Sequence, residues 1–208
     1  IVGGTGFIGF HLARKCLELG WLVTSISARK PRKVRKLPKV KYLISDISKK
    51  NFFKKILKKH FDYVVNLGGY VDHSNKKKTY NTHYLGSVNL ANFFLKKKIK
   101  KFIQIGSCLE YGNSKSPQSE SSLSLPQSNY GKAKYLASKE IAKNFPNNYL
   151  ILRLYQIFGP LQKLDRLIPI TIDSCLKDES FSCTKGNQLR DFLFIDDFIK
   201  LIQKILKS

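Results

Sequence analysis

Ile1-Val2-Gly3-Gly4-Thr5-Gly6-Phe7-Ile8-Gly9 opens the chain, and its reading decides the fold. Glycines recur at every third position, behind two apolar residues and ahead of FIGFHLARKCLELG. Ile1 and Val2 read as the end of a strand. Phe7, Ile8, Leu12, Ala13, Cys16, Leu17 and Leu19 make the apolar stripe of a helix that Gly20 stops. Strand, glycine turn and helix together allow a pyrophosphate to approach a helix N-terminus, where free N–H groups and the dipole favour an anion. Gly3, Gly6 and Gly9, with Phe7 and Ile8 in the first helical turn, are therefore candidate dinucleotide contacts. A glycine turn without a ligand is the plain alternative, and the flanking strand and helix weigh against it.

Outward from this loop the sequence keeps a β-α-β rhythm. WLVTSI and KVKYLISD read as strands, followed by a helix over 49–60. FDYVVNLGG is the next strand, a long helix spans 75–98, and KKFIQIGS is a further strand. A Ser/Pro-rich loop covers 113–129, a helix follows, NYLILRLY is a sixth strand, and a last helix runs over 196–206. Alternation of this kind predicts an α/β fold, a doubly wound parallel sheet with right-handed crossovers and helices on both faces. Ligands of such sheets bind beyond the carboxyl ends of the strands, where Gly3–Gly9, Asn66–Gly69 and Ser107 all fall.

The helix after the Ser/Pro loop carries Tyr130 and Lys134 in SNYGKAKYLASKE. Positions i and i+4 share a helix face, so the spacing places a phenol beside an ammonium. A positive neighbour favours the phenolate, which predicts a Tyr130 pKa below its ordinary value and a proton donor or acceptor for carbonyl/alcohol chemistry. Tyr-x-x-x-Lys alone is common by chance. Ser107, at the end of a strand, supplies the third group; its plain alternative is a turn cap.

Composition bounds the rest. The chain has 208 residues, 42% of them hydrophobic, enough for one sizeable core and a partial second. No apolar run approaches the roughly 20 residues of a membrane span, and no signal peptide is visible. The chain opens without Met, already inside a strand, which reads as a piece of a longer protein. Cys16, Cys108, Cys175 and Cys183 have no metal or disulfide spacing, so no metal is expected and a reducing, cytoplasmic setting fits. His11, His60, His73 and His83 form no ligand pattern and read as ordinary, partly exposed histidines. The net charge of +24 is mostly lysine dispersed over helix faces such as KKNFFKKILKKH. Solvated faces explain it better than a nucleic-acid patch, though a positive field gathers anionic ligands.

GGTGFIG, SDI at 45–47, NLGG at 66–69, GSCLEYG at 106–112, YGKAK at 130–134, LRLYQIFGP at 152–160 and RDFLFIDD at 190–197 together carry a resemblance. The chain resembles the extended short-chain dehydrogenase/reductase superfamily, in its NAD(P)-dependent epimerase/dehydratase branch, which acts mainly on nucleotide sugars. The resemblance implies a Rossmann dinucleotide-binding domain over 1–160 and a partial substrate-binding segment over 161–208, the family's C-terminal lobe being truncated. It places Asp46 and Ile47 beside the adenine and Leu67, Gly68 and Gly69 along the cofactor. It assigns Ser107 to the reacting sugar oxygen, Tyr130 to general acid/base work and Lys134 to the nicotinamide ribose. Arg190 would meet the diphosphate of a nucleotide-diphospho-sugar, a role suited to its forked donors; its plain alternative is a surface ion pair with Asp191. Asp196 reads as a cap of the last helix. Family members often form homodimers through two long helices per subunit, here those over 75–98 and 130–145.

Departures from the family sharpen the expectation. NAD-specific members carry an acidic residue at the end of the second strand. Here Ser27 stands there, followed by Arg29 and Lys30, which favours NADP(H) with NAD(H) as the alternative. Cys108 and Leu109 replace the Asp-Glu pair of sugar 4,6-dehydratases, which disfavours elimination. His83 stands where the family usually has Asn, with Asn81 two residues away, and Leu154 and Gln156 stand where Pro and Asn are common. The segment from Leu167 to Asp197 is similar to reductases making CDP-linked dideoxyhexoses. The expected function is 4-keto reduction of a nucleotide sugar, with Tyr130 as proton donor. The alternatives are a UDP-sugar 4-epimerase with tightly held NAD and, from another class, a non-catalytic scaffold or RNA-contacting module.

Overall fold

A computed structural model describes residues 1–56, 58–145 and 147–207, with the side chain of Lys55 left aside. It forms two compact units, Ile1–Leu154 and Tyr155–Ser208. The first contains a parallel sheet. β1 (Thr24–Ser27) pairs with β2 (Lys41–Ile44), while β3 (Tyr63–Asn66), β4 (Lys101–Ile105) and β5 (Tyr149–Leu152) pair in sequence order, all parallel. The chain's first residues join the two halves: Val2 bridges Ile26 on one side and Asn66 on the other. Val2 N–H donates to Val65 at 2.9 Å and Gly3 N–H to Ile26 at 2.7 Å. The order is thus β2, β1, Ile1–Gly3, β3, β4, β5, the doubly wound arrangement the sequence predicts, with its order reversing at the glycine loop.

Alternation along the central strands sends neighbours to opposite faces. Val64 and Phe102 join a buried cluster with Leu90, Ala91, Phe94, Ile141 and Phe145, which come from α3 (Gly86–Leu95) and the region of α4 (Asn129–Asn144). Val65 and Ile103, on the other face, are equally buried. α1 (Phe7–Glu18) buries Phe10, Leu12, Ala13 and Cys16, so its expected stripe holds, although Phe7 and Ile8 at its start stay only partly covered.

Two helices differ from expectation. The stretch expected as a helix over 49–60 makes only a 3-10 turn, Phe52–Lys55; Leu57 lies outside the described residues. Lysines recur there at i and i+4 (Lys50/Lys54, Lys54/Lys58), and like charges at that spacing oppose a helix. Asn51 also provides no side-chain cap. The long helix over 75–98 is instead α2 (Lys76–Tyr80), a π-turn over Asn81–Leu85, then α3. A wide turn of this kind inserts an extra residue into the helical ladder and re-aims its side chains. His83 sits within it.

The second unit pairs β6 (Gln156–Phe158) with β7 (Phe192–Phe194), again parallel, and adds α5 (Leu167–Lys177) and α6 (Ile195–Lys207). Ile195, Phe198, Ile199, Ile202 and Leu206 line the buried face of α6 at i, i+3, i+4, i+7 spacing. Asp196 is not the cap of this helix: it lies in the first turn with Asp197, where a carboxylate favours the dipole without being the Ncap residue. Among the described residues, no helix is long and apolar enough to cross a membrane.

Candidate active site

The glycine loop is built for close backbone approach. Gly3 has φ of +77°, a conformation that L side chains rarely adopt, and a Cβ there would lie 2.7 Å from the Leu67 carbonyl oxygen. A Cβ on Gly9 would collide with the Gly3 carbonyl oxygen and lie 2.6 Å from Gly4 Cα. At Gly6, by contrast, only the Gly3 oxygen lies near, at 3.1 Å. Gly6 is the Ncap residue of α1 and has no side chain to occupy the first-turn N–H groups, so they remain available to an anion. These features fit a dinucleotide pyrophosphate.

Around the loop the strand ends converge. Ser27, closing β1, is buried, and its hydroxyl accepts from the Thr5 N–H at 3.4 Å. Arg29 is exposed and close enough for its charge to act on the Tyr70 phenol. Asp46 accepts from the Ser48 N–H and hydroxyl at 2.9 and 2.7 Å, fixing the turn after β2. Ile47 is buried against Gly86, where a Cβ would meet it at 2.9 Å. Leu67 and Gly68 leave β3 under the hold of Asn66, whose side chain accepts from the Gly68 N–H at 3.0 Å. Asn66 in turn donates to Gln104 at 2.8 Å and Ser87 at 3.1 Å, a buried polar knot.

Gly69 leads to the redox candidates. A Cβ there would lie 2.9 Å from His83 Cε1, and the His83 ring stands edge-on to Tyr130, centroids 4.8 Å apart. His73 stacks on a face of the same ring at 4.1 Å and also meets the His83 ring edge-on, centroids 5.7 Å apart. The Ser107 side chain stands close enough to the Tyr130 phenol to favour its ionised form. Glycine loop, Gly69, His83, Tyr130 and Ser107 therefore form one contiguous surface. Ser107 also fills its plain role: its hydroxyl accepts from the Leu109 N–H at 3.2 Å as cap of a 3-10 turn, Cys108–Glu110.

Lys134 is held differently from expectation. Its ammonium donates to the Ile105 carbonyl oxygen at 2.7 Å and lies 5.9 Å from the Tyr130 ring centroid. Burial pushes the Lys134 pKa down to about 8, while the Glu110 carboxylate opposes that shift. The Tyr130 phenol is pushed up rather than down, because burial dominates; the Ser107 side chain pulls the other way and Glu110 and Cys108 add to the rise. The expected lowering by Lys134 is thus corrected: desolvation outweighs a cation bound to a backbone carbonyl.

His11 and His83 are also corrected, both being 3% exposed. His83 Nε2 faces the Tyr70 N–H at 3.2 Å and the Tyr70 carbonyl at 3.0 Å, and its Nδ1 is buried with no hydrogen-bond partner among the described residues. Burial foremost, then the Lys134 charge, pushes its pKa down to about 3, so the ring is neutral.

Glu110 and Arg153 were not singled out by the sequence reading. Glu110 is fully buried, accepts from the Ser107 N–H at 2.8 Å, and pairs with Arg153 Nε at 3.1 Å. Its signal was present: Ser107-x-x-Glu110 is a capping box. Arg190 lies exposed in the second unit, just before β7.

The family profile described as NAD dependent epimerase/dehydratase matches residues 1–208. The chain belongs to that family. It is 28% identical over 240 residues to the dTDP-D-glucose 4,6-dehydratase of Dictyostelium discoideum, covering 100% of this chain and 55% of that one. It is 34% identical over 83 residues to the CDP-abequose synthase of Salmonella muenchen, covering 36% of this chain and 28% of that one. The solved UDP-glucuronic acid 4-epimerase of Bacillus cereus, in complex with NAD, superposes with a TM-score of 0.85 at 25% identity, over 100% of this chain and 73% of that one. The chain spans about half the length of the dehydratase it matches.

Proposed function

We propose that this chain carries the cofactor-binding and catalytic part of an oxidoreductase acting on a nucleotide-diphospho-sugar, by reduction of a 4-keto group. The observation that carries the proposal is the Tyr130 phenol, set beside Ser107 and joined through His83 and Gly69 to the glycine loop. Gly3, Gly6, Gly9 and the first turn of α1 would seat the pyrophosphate, with Phe7 and Ile8 beside it. Asp46 and Ile47 would flank the adenine, and Leu67–Gly69 would line the path to the nicotinamide. A nicotinamide dinucleotide, when bound, supplies the hydride. Ser107 and Tyr130 hold the sugar oxygen, and Tyr130 donates its proton as negative charge develops there. A phenol with a raised pKa is protonated at neutral pH, the form a reductase needs in its resting state. Lys134 supplies a buried positive charge near that oxygen and would meet the nicotinamide ribose. Arg190 is assigned the substrate diphosphate.

Two features support reduction over elimination and epimerisation. Cys108 and Leu109 follow Ser107, so no acid/base pair stands there for elimination. The end of β1 offers Ser27 and the exposed Arg29 with no carboxylate between Ser27 and Lys30, which supports NADP(H) over NAD(H). The local match to a CDP-abequose synthase is consistent with this reading. The test is to mix the full-length protein with NADPH and a panel of nucleotide-keto-sugars while following nicotinamide absorbance. Keto-sugar-dependent oxidation of NADPH, weaker with NADH, is the expected result. Protein purified with bound NAD that interconverts UDP-sugar epimers would establish the epimerase reading instead. Salt-sensitive RNA retention without cofactor binding would establish the scaffold reading.

A further inference from the structure

Glu110 is the most deeply buried carboxylate of the site, and the reaction scheme gives it no task. One oxygen accepts from the Ser107 N–H at 2.8 Å; the other accepts from Arg153 Nε at 3.1 Å, with Arg153 itself mostly covered. The Arg153 guanidinium also lies 4.8 Å over the Tyr111 ring and donates to the Glu120 carbonyl oxygen at 3.3 Å. A Cβ on Gly106 would sit 2.5 Å from Glu110 Oε1, so the strand end has been kept bare for this carboxylate. The turn it stabilises is pressed on α4: a Cβ on Gly131, the residue after Tyr130, would lie 2.5 Å from the Leu109 carbonyl oxygen. Charged and titratable groups face Glu110 from each side. Arg153 comes from beyond β5, Tyr130 and Lys134 from α4 and Cys108 from its own turn, and His83 stands against Lys134 and Tyr130.

We propose that Glu110 is a positioning residue of this site: clamped by Arg153, its carboxylate fixes the Ser107 turn against the start of α4 and balances the buried ammonium of Lys134. The geometry explains why an isolated ammonium is tolerated here. Among the described residues Lys134 has one carbonyl oxygen as its hydrogen-bond partner, and an uncompensated buried cation is costly. Glu110 offsets that cost through space while its own oxygens are held by Ser107 and Arg153. The same negative charge disfavours a phenolate at Tyr130, keeping the proton on the group that is to give it away. The inference of a task in catalysis rests on the oxidoreductase reading; the electrostatic claim does not.

Glu110→Gln keeps an acceptor for the Ser107 N–H and removes the charge. Ultraviolet titration of Tyr130, taken as the difference from the same protein carrying Tyr130→Phe, reads the effect without turnover. The phenol midpoint is expected to fall in Glu110→Gln, since the carboxylate's charge is one cause of its rise. NADPH affinity at neutral pH should stay within about threefold, a change of under ~0.7 kcal/mol. An unchanged midpoint in the folded variant overturns the proposal. If Glu110→Gln fails to fold, Arg153→Met decides: it leaves the carboxylate less compensated, and the Tyr130 midpoint should rise. No rise overturns the proposal equally. A shifted midpoint in a protein that turns over no keto-sugar would sink the reductase reading and leave Glu110's role standing.

Discussion

The imidazole of His73 lies flat on the ring of Tyr130, with centroids 4.1 Å apart and planes 13° from parallel. His83 closes the ring from its edge at 4.8 Å and 86°. The phenol is therefore held by aromatic contacts on two sides and stands beside Ser107, with Lys134 set back on the Ile105 carbonyl. Burial is the largest cause of the raised Tyr130 pKa.

Removing one of these aromatic contacts should return the phenol toward ordinary behaviour. His73→Ala uncovers a face of Tyr130, so its titration midpoint should fall toward the free value. Stability should drop by about 0.5–1.5 kcal/mol, the worth of an aromatic pair beyond its area. Ultraviolet titration and denaturant unfolding read the two effects separately. A midpoint that does not move would mean that burial by His73 is not what raises it.

Tyr130→Phe tests the chemistry with little change of shape. Loss of the proton donor should cut turnover by about 10²–10⁴-fold. NADPH binding, which rests on the glycine loop, should be retained. Full activity in this variant would eliminate Tyr130 as the general acid.

His83 makes an acid-sensitive contribution with a defined sign. Its pKa falls from 6.5 in the unfolded chain to about 3 in the fold, with burial the chief cause. Between these values the unfolded chain binds the additional proton, so stability is complete above pH 6.5 and is lost as pH falls toward 3. His83→Asn should remove that slope between pH 6.5 and 3, whatever its effect at neutral pH. Unfolding measured across that window, on both proteins, checks it.

The sequence made the scaffold legible because periodicity, glycine spacing and strand ends are local signals. The loop at Gly3–Gly9, the parallel strands and the positions of Ser107 and Tyr130 all followed from them. What stayed hidden depends on contacts between distant segments. The π-turn at Asn81–Leu85 carries no sequence mark, yet it brings His83 to Tyr130. His73 stays exposed, as a surface histidine would, and its stacking on Tyr130 comes from the loop after β3 meeting α4. Lys134 shares a helix face with Tyr130 as its spacing requires, but the Ile105 carbonyl, from another strand, captures its ammonium. Glu110 was the local signal passed over, since its capping box lies within four residues.

Gly6 and Gly9 separate cofactor binding from folding. A Cβ at Gly9 runs into the backbone of Gly3 and Gly4, fixed points of the loop, so Gly9→Ala should destabilise the fold itself. At Gly6 the near neighbour is the Gly3 carbonyl oxygen at 3.1 Å, a tight contact that needs a shift of a few tenths of an ångström, so Gly6→Ala should destabilise the fold less than Gly9→Ala does. The added methyl would stand where the pyrophosphate approaches the first turn of α1. Cofactor affinity should therefore weaken by at least about tenfold, ~1.4 kcal/mol, with a smaller fall in Tm than Gly9→Ala shows. Thermal unfolding and NADPH titration of the two variants give the comparison. A Gly6→Ala protein that binds NADPH as tightly as the parent would show that the pyrophosphate does not sit on this turn, and the assignment of the glycine loop would fall with it.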